Sequence, residues 1–193
     1  MTGILYVGLG VVLALGLYVI RAVRREYRTA EILSPLTVAA VWALYALHAA
    51  ILAVGSWHGL WPIPVPRPLS LSVGGTLTVA GLVFALAGTA EFRSFRRMSG
   101  MLSNRLVTSG PYRWSRNPQN VGWGAAFVGV ALLGRSGFAL LLASVFWAMF
   151  LAYLPEEEAY LERIFGEEYR RYVASTPRLL GFPTASPPED SRG

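Results

Sequence analysis

Three stretches of the chain, 3–20, 36–55 and 69–90, run for close to a bilayer's thickness without a formal charge. About 20 apolar residues in a helix span a hydrocarbon core of roughly 30 Å, where backbone polar groups can be satisfied only within the segment. That constraint leaves few folds open. The composition agrees: of 193 residues 54% are hydrophobic and 15% charged, with a mean hydropathy of +0.45, too apolar for a soluble domain of this size. The fold class this predicts is an all-α integral membrane protein.

Two further apolar stretches, 120–134 and 138–154, are separated by Gly134-Arg135-Ser136-Gly137, a tight-turn sequence, and read as a helical hairpin. The expectation is therefore five transmembrane helices, the fourth short for a full crossing. Beyond them, 156–174 places Leu161, Ile164, Phe165 and Tyr169 at three-and-four spacing, which predicts one amphipathic helix at the membrane face. The proline-rich 60–68 predicts an extended connector. Residues 1–182 form a single expected domain, with 183–193 a disordered tail. The first apolar run lacks a basic n-region and is expected to remain in the mature protein.

All 17 basic residues are arginine and the net charge is +6, which raises nucleic acid as a partner. The arginines instead sit beside apolar segments: Arg21, Arg24, Arg25 and Arg28 after the first, and Arg93, Arg96, Arg97, Arg105, Arg113 and Arg116 between the third and fourth. They read as topology signals, with no nucleic-acid partner, and put the N-terminus outside and the C-terminus in the cytoplasm of a multi-pass cell-membrane protein. Absence of cysteine excludes disulfides, thiolate metal sites and a cysteine nucleophile, and two histidines argue against zinc, so no metal is expected. His48 lies inside the second apolar run, where an imidazole either relays protons or hydrogen-bonds a neighbouring helix.

Polar chemistry concentrates in two blocks, 106–124 and 156–178. In the first, Gly110-Pro111 sets Tyr112 on a turn, and Asn117-Pro118 fits a helix start where the missing proline N–H costs nothing. A carboxylate at that N-terminus beside Arg116 is physically sensible, and Gly122 and Gly124 permit close approach of a ligand or a helix. In the second, Glu156, Glu157 and Glu158 point in different directions round a helix, so at least one is expected to face inward. From the residues alone, both blocks fit either ligand binding or packing with solvated charge.

Taken together, 106–112 (Leu-Val-Thr-Ser-Gly-Pro-Tyr), Arg116-Asn117-Pro118, Gly122, Glu157-Glu158, Leu161, Phe165-Gly166, Tyr169 and Tyr172 resemble the isoprenylcysteine carboxyl methyltransferases and the membrane phospholipid methyltransferases. The resemblance covers roughly the last ninety residues, and the first three spans carry no signature. It implies an enzyme that binds S-adenosylmethionine in a cytosol-facing pocket and methylates a lipophilic acceptor, an isoprenoid-linked carboxylate or similar small lipid, arriving from the bilayer. It places Tyr112, Arg116, Asn117, Pro118, Gly122, Gly124, Glu157 and Glu158 around the cofactor, with Arg116 and Asn117 as the catalytic pair. Asn104, Asn117 and Asn120 depart from the family pattern, where histidine, histidine and an aromatic residue are usual. Asparagine hydrogen-bonds but cannot serve as a base near neutral pH, which favours a carboxylate, phenol-like or thiol acceptor over a protonated amine. The alternatives are a phospholipid N-methyltransferase, a sterol-reductase-like enzyme using NADPH, and a non-catalytic membrane scaffold.

Overall fold

The computed structural model describes residues 2–29, 32–92 and 105–184. Arg93, Arg96, Arg97 and Asn104, and residues 185–193 of the expected disordered tail 183–193, lie outside the described residues. The described chain is helical: α1 Thr2–Thr29, α2 Pro35–Trp57, α3 Arg67–Glu91, a 3-10 turn Gly110–Arg113, α4 Pro118–Leu133, α5 Gly137–Phe165 and α6 Glu167–Ser175. Of these, α1, α2, α3 and α5 are long and apolar enough to cross a membrane. At 16 residues, α4 is about 24 Å long and falls short of that length.

The helices alternate between two ends of the molecule. At one end Trp61 after α2 lies by Tyr6 of α1, and Gly137 N–H donates to the Trp61 carbonyl at 2.8 Å, which gathers the start of α1, the end of α2 and the α4–α5 turn. At the other end Arg28 of α1 pairs with Glu156 of α5, Glu26 of α1 accepts from Ser34 and Thr37 at the start of α2, and Gln119 of α4 donates to Thr89 of α3 at 3.1 Å. The α4–α5 turn forms where the sequence puts it, with Arg135 in the left-handed region (φ 49°) and Ser136 capping α5 through Ala139 N–H at 3.2 Å. The expected connector 60–68 is extended up to 66, where Ile63 N–H donates to the Arg135 carbonyl at 3.0 Å, and α3 takes over from Arg67. His48 is buried and bonded to the Leu142 carbonyl at 3.0 Å, a contact between α2 and α5.

Packing of α4 against α3 rests on missing side chains. A Cβ on Gly122 would lie 2.5 Å from both the Ala85 nitrogen and the Gly81 carbonyl oxygen, so α3 and α4 touch backbone to backbone. Glycines recur every seventh residue on both surfaces, at Gly74, Gly81 and Gly88 on α3 and at Gly122 and Gly129 on α4. Such spacing keeps one helical face smooth over its length.

The C-terminal elements differ from the expected single helix 156–174. Helix α5 runs through Pro155 to Phe165, and the break comes at Gly166, whose φ of 53° suits glycine. Pro155 deletes one backbone hydrogen bond. The turn around it is held from α1, where Arg24 donates to the Ala152 carbonyl at 2.6 Å. Helix α6 then turns Tyr169 and Tyr172 inward, each under a tenth exposed.

Candidate active site

Polar residues from both sequence blocks meet at one end of the bundle. Asn117 caps α4 and Pro118 fills its first position, as the sequence predicts. The Asn117 side chain does not cap its own helix; its Nδ2 donates to the Arg178 carbonyl at 2.9 Å, while Arg116 N–H donates to the Pro177 carbonyl at 2.9 Å. The segment after α6 is thus tied to the turn before α4. Tyr172 closes the same layer, its hydroxyl donating to the Tyr112 carbonyl at 2.7 Å.

The three consecutive glutamates go to three environments. Glu156 faces outward to Arg28. Glu158 is held by Arg116, whose Nη1 lies 2.8 Å from its Oε1, and by Arg178, whose Nε donates to the same oxygen at 3.0 Å. Arg116 and Glu158 side chains are only 10% and 15% exposed, and the Tyr169 hydroxyl lies 3.4 Å from Arg116 Nη1. Burial pushes the Tyr169 phenol up to about 12, with Glu158 adding to the rise and Arg116 opposing it, so it stays protonated and can donate. Glu157 is half-buried and lines a cavity, and its Oε2 is a buried atom with no hydrogen-bond partner. Arg116 Nε is a second buried polar atom with no partner.

The cavity holds about 500 Å³ and has two characters. Tyr112, Arg116, Asn117, Glu157, Glu158, Tyr169 and Tyr172 line its polar end, while Val19, Val23, Leu44, Phe127, Phe146 and Phe150 line an apolar end that reaches between α1, α2, α4 and α5. The two orphaned atoms at the polar end are one donor and one acceptor. Buried polar groups are nearly always satisfied, so the pair fits a ligand that carries both an anionic and a cationic group. The methionine end of S-adenosylmethionine has that character, a carboxylate and an ammonium on one carbon.

Of the eight residues the family resemblance points to, five come together at the cavity: Tyr112, Arg116, Asn117, Glu157 and Glu158. The other three sit in helix packing. Pro118 is fully buried against Gly88, Gly122 against α3, and the Gly124 position against the Trp147 ring, where a Cβ would approach within 2.5 Å. Arg178, Asn120, Tyr45 and Tyr153 were not among the expected site residues. For Arg178 the signal was its place next to Pro177, after the last helix; for the tyrosines no sequence spacing marks them, since they lie on α2 and α5.

A profile described as phospholipid methyltransferase matches residues 69–168. The protein-S-isoprenylcysteine O-methyltransferase of Homo sapiens is 31% identical over 153 residues, which cover 72% of this chain and 52% of the relative. The nickel-cobalt-cadmium resistance protein NccN of Alcaligenes xylosoxydans xylosoxydans is 35% identical over 153 residues, covering 76% of this chain and 67% of the relative. The cobalt-zinc-cadmium resistance protein CzcN of Cupriavidus metallidurans is 30% identical over 146 residues, covering 72% and 63%. The chain thus spans about half the length of the human relative it matches. No solved structure matches. Likeness extends further toward the N-terminus than the two polar blocks suggest, since the profile begins with α3, the helix whose glycines receive α4. Matched by the profile over more than half of its length, the chain belongs to the phospholipid methyltransferase family.

Proposed function

We propose that the protein transfers a methyl group from S-adenosylmethionine to a lipophilic carboxylate, of the isoprenoid-linked kind, at the cytoplasmic face of a membrane. One observation carries this reading: a single cavity joins a polar end with an unpaired buried donor and acceptor to an apolar end lying within the membrane-spanning part of the bundle. Such a cavity suits two ligands of opposite character meeting near its middle. The human relative's name, with its isoprenylcysteine acceptor, supports the carboxylate.

When bound, S-adenosylmethionine would supply a methyl group activated on a sulfonium, open to an oxygen lone pair. The chain's own tasks are alignment, desolvation and anchoring of charge. Arg116, fixed in place by Glu158, would take the cofactor's carboxylate, and Glu157 its ammonium. Tyr112, Tyr169 and Tyr172 roof the polar end and exclude water. Asn117 ties the segment after α6 across the entrance through Arg178. Pro118, Gly122 and Gly124 support the site from behind by setting how closely α4 packs.

The polar end belongs to the cytoplasmic side in this reading, with the start of α1 outside, because Arg21, Arg24, Arg25 and Arg28 flank it. An amine headgroup, the acceptor that the family's description suggests, would have to lose a proton before methylation. His48 is engaged with the Leu142 carbonyl, so the carboxylate remains the better fit.

The test is calorimetric titration of S-adenosylhomocysteine into purified protein in detergent. Arg116→Ala and Glu157→Gln are each expected to weaken binding by at least ~1 kcal/mol, about fivefold, through loss of a charge-assisted hydrogen bond. NADPH is expected not to bind. Unchanged affinity in both variants would remove the site assignment.

A further inference from the structure

Between the two ends of the cavity stands a polar side chain to which the cofactor assignment gives no task. From the Asn117 cap along α4 the lining residues are Asn117, Gln119, Asn120, Trp123 and Phe127, a surface that passes from polar to apolar, with Asn120 its last amide. Its Oδ1 accepts from the Tyr45 hydroxyl of α2 at 2.5 Å and from the Tyr153 hydroxyl of α5 at 3.5 Å. The shorter of the two contacts, from Tyr45, engages the amide oxygen from α2, and Tyr153 is itself hydrogen-bonded to Tyr45. Among the described residues, the two N–H donors of Asn120 meet no protein acceptor, and the side chain is part of the cavity wall. A half-buried amide with its oxygen engaged by Tyr45 and its donors free is arranged to hold something that accepts hydrogen bonds.

We propose that Asn120 binds the reacting carboxylate of the acceptor, and that Tyr45 and Tyr153 act as positioning residues for its amide. This rests on the methyltransferase reading and adds to it the contact that places the nucleophile. Methylation of a carboxylate oxygen forms one O–CH3 bond as the S–CH3 bond breaks, and no proton is released. The site therefore needs a donor that orients the oxygen, and no base. The position also sorts acceptors: an amide donor welcomes a carboxylate and offers a protonated amine nothing to pair with.

The experiment uses the full chain in detergent, with N-acetyl-S-farnesyl-cysteine as the carboxylate probe. Binding of S-adenosylhomocysteine alone, and of the probe to protein saturated with it, are measured by calorimetry, with folding checked by the thermal midpoint. Asn120→Ala is expected to weaken the probe about tenfold while S-adenosylhomocysteine stays within about twofold. Asn120→Asp, close in shape but repelling a carboxylate, is expected to weaken the probe more than alanine does. Tyr45→Phe, which keeps the ring and frees the amide to turn, is expected to give a smaller loss in the same direction. Equal losses for both ligands would assign Asn120 to the cofactor pocket and overturn the proposal, as would a probe affinity untouched by all three changes. If the wild type binds S-adenosylhomocysteine but its binding of the probe ignores Asn120, only the acceptor contact falls. If it binds no S-adenosylhomocysteine, the methyltransferase reading falls first.

Discussion

Glu156, Glu157 and Glu158 share one side chain and one helix, and what separates them is the 100° between successive positions. Each meets a different neighbour: a surface arginine of α1, an unpartnered place in the cavity wall, and a pair of arginines. Removing Glu158 leaves the Arg116 guanidinium, 10% exposed, without its counter-charge. Breaking a buried pair from one side is costly, so Glu158→Ala is expected to destabilise the protein by roughly 3 kcal/mol. Arg178 is half exposed, and water already screens its pairing with Glu158. Arg178→Ala is expected to cost less than about 1 kcal/mol, a contrast readable from thermal midpoints in one detergent. That at least one of the three glutamates faces inward was legible in the sequence, and both Glu157 and Glu158 line the cavity. How each is partnered was not, because the partners lie on α1, on the turn before α4 and beyond α6, far away in the chain.

Among the elements, α4 was placed correctly at both ends by Asn117-Pro118 and by the Gly134–Gly137 turn. Its glycines were ambiguous, since the same absence of a side chain serves a ligand or a neighbouring helix, and only the position of α3 decides. Gly122→Ala is expected to destabilise by roughly 1–3 kcal/mol, because the new methyl meets two backbone atoms of α3, which cannot yield as a side chain would. Gly75, on α3 with nothing within 4 Å of where a Cβ would stand, is the control: its change to alanine is expected to be neutral or to stabilise by up to about 1 kcal/mol through helix propensity. Equal effects at the two glycines would contradict the backbone contact. The break at Gly166 was harder to see, since the apolar spacing of Leu161, Ile164, Phe165 and Tyr169 continues through it. Glycine's access to positive φ, not the hydrophobic pattern, ends α5 there. Gly166→Ala is expected to cost about 1–3 kcal/mol of backbone strain and to weaken S-adenosylhomocysteine binding by displacing Tyr169 and Tyr172.

For the whole molecule, charge-free runs and arginine placement were enough to indicate a multi-pass helical bundle, because lipid admits few alternatives. They could not indicate the cavity, which needs α2 and α5 to bring Tyr45 and Tyr153 beside Asn120 of α4. The proposed orientation has its own check. The chain has no cysteine, so single cysteines at Thr2 and Arg171 report sidedness without background labelling. A membrane-impermeant maleimide applied to intact cells is expected to label Thr2→Cys and spare Arg171→Cys, and the reverse pattern would invert the topology. Whether the polar and apolar ends of one cavity meet in a methyl transfer is decided by incubating purified protein with methyl-labelled S-adenosylmethionine and N-acetyl-S-farnesyl-cysteine. Label is expected in the extracted lipid as a base-labile ester, and is expected to be lost in Glu157→Gln. Wild-type protein that binds S-adenosylhomocysteine yet leaves every lipophilic carboxylate offered to it unlabelled would contradict that meeting of the two ends.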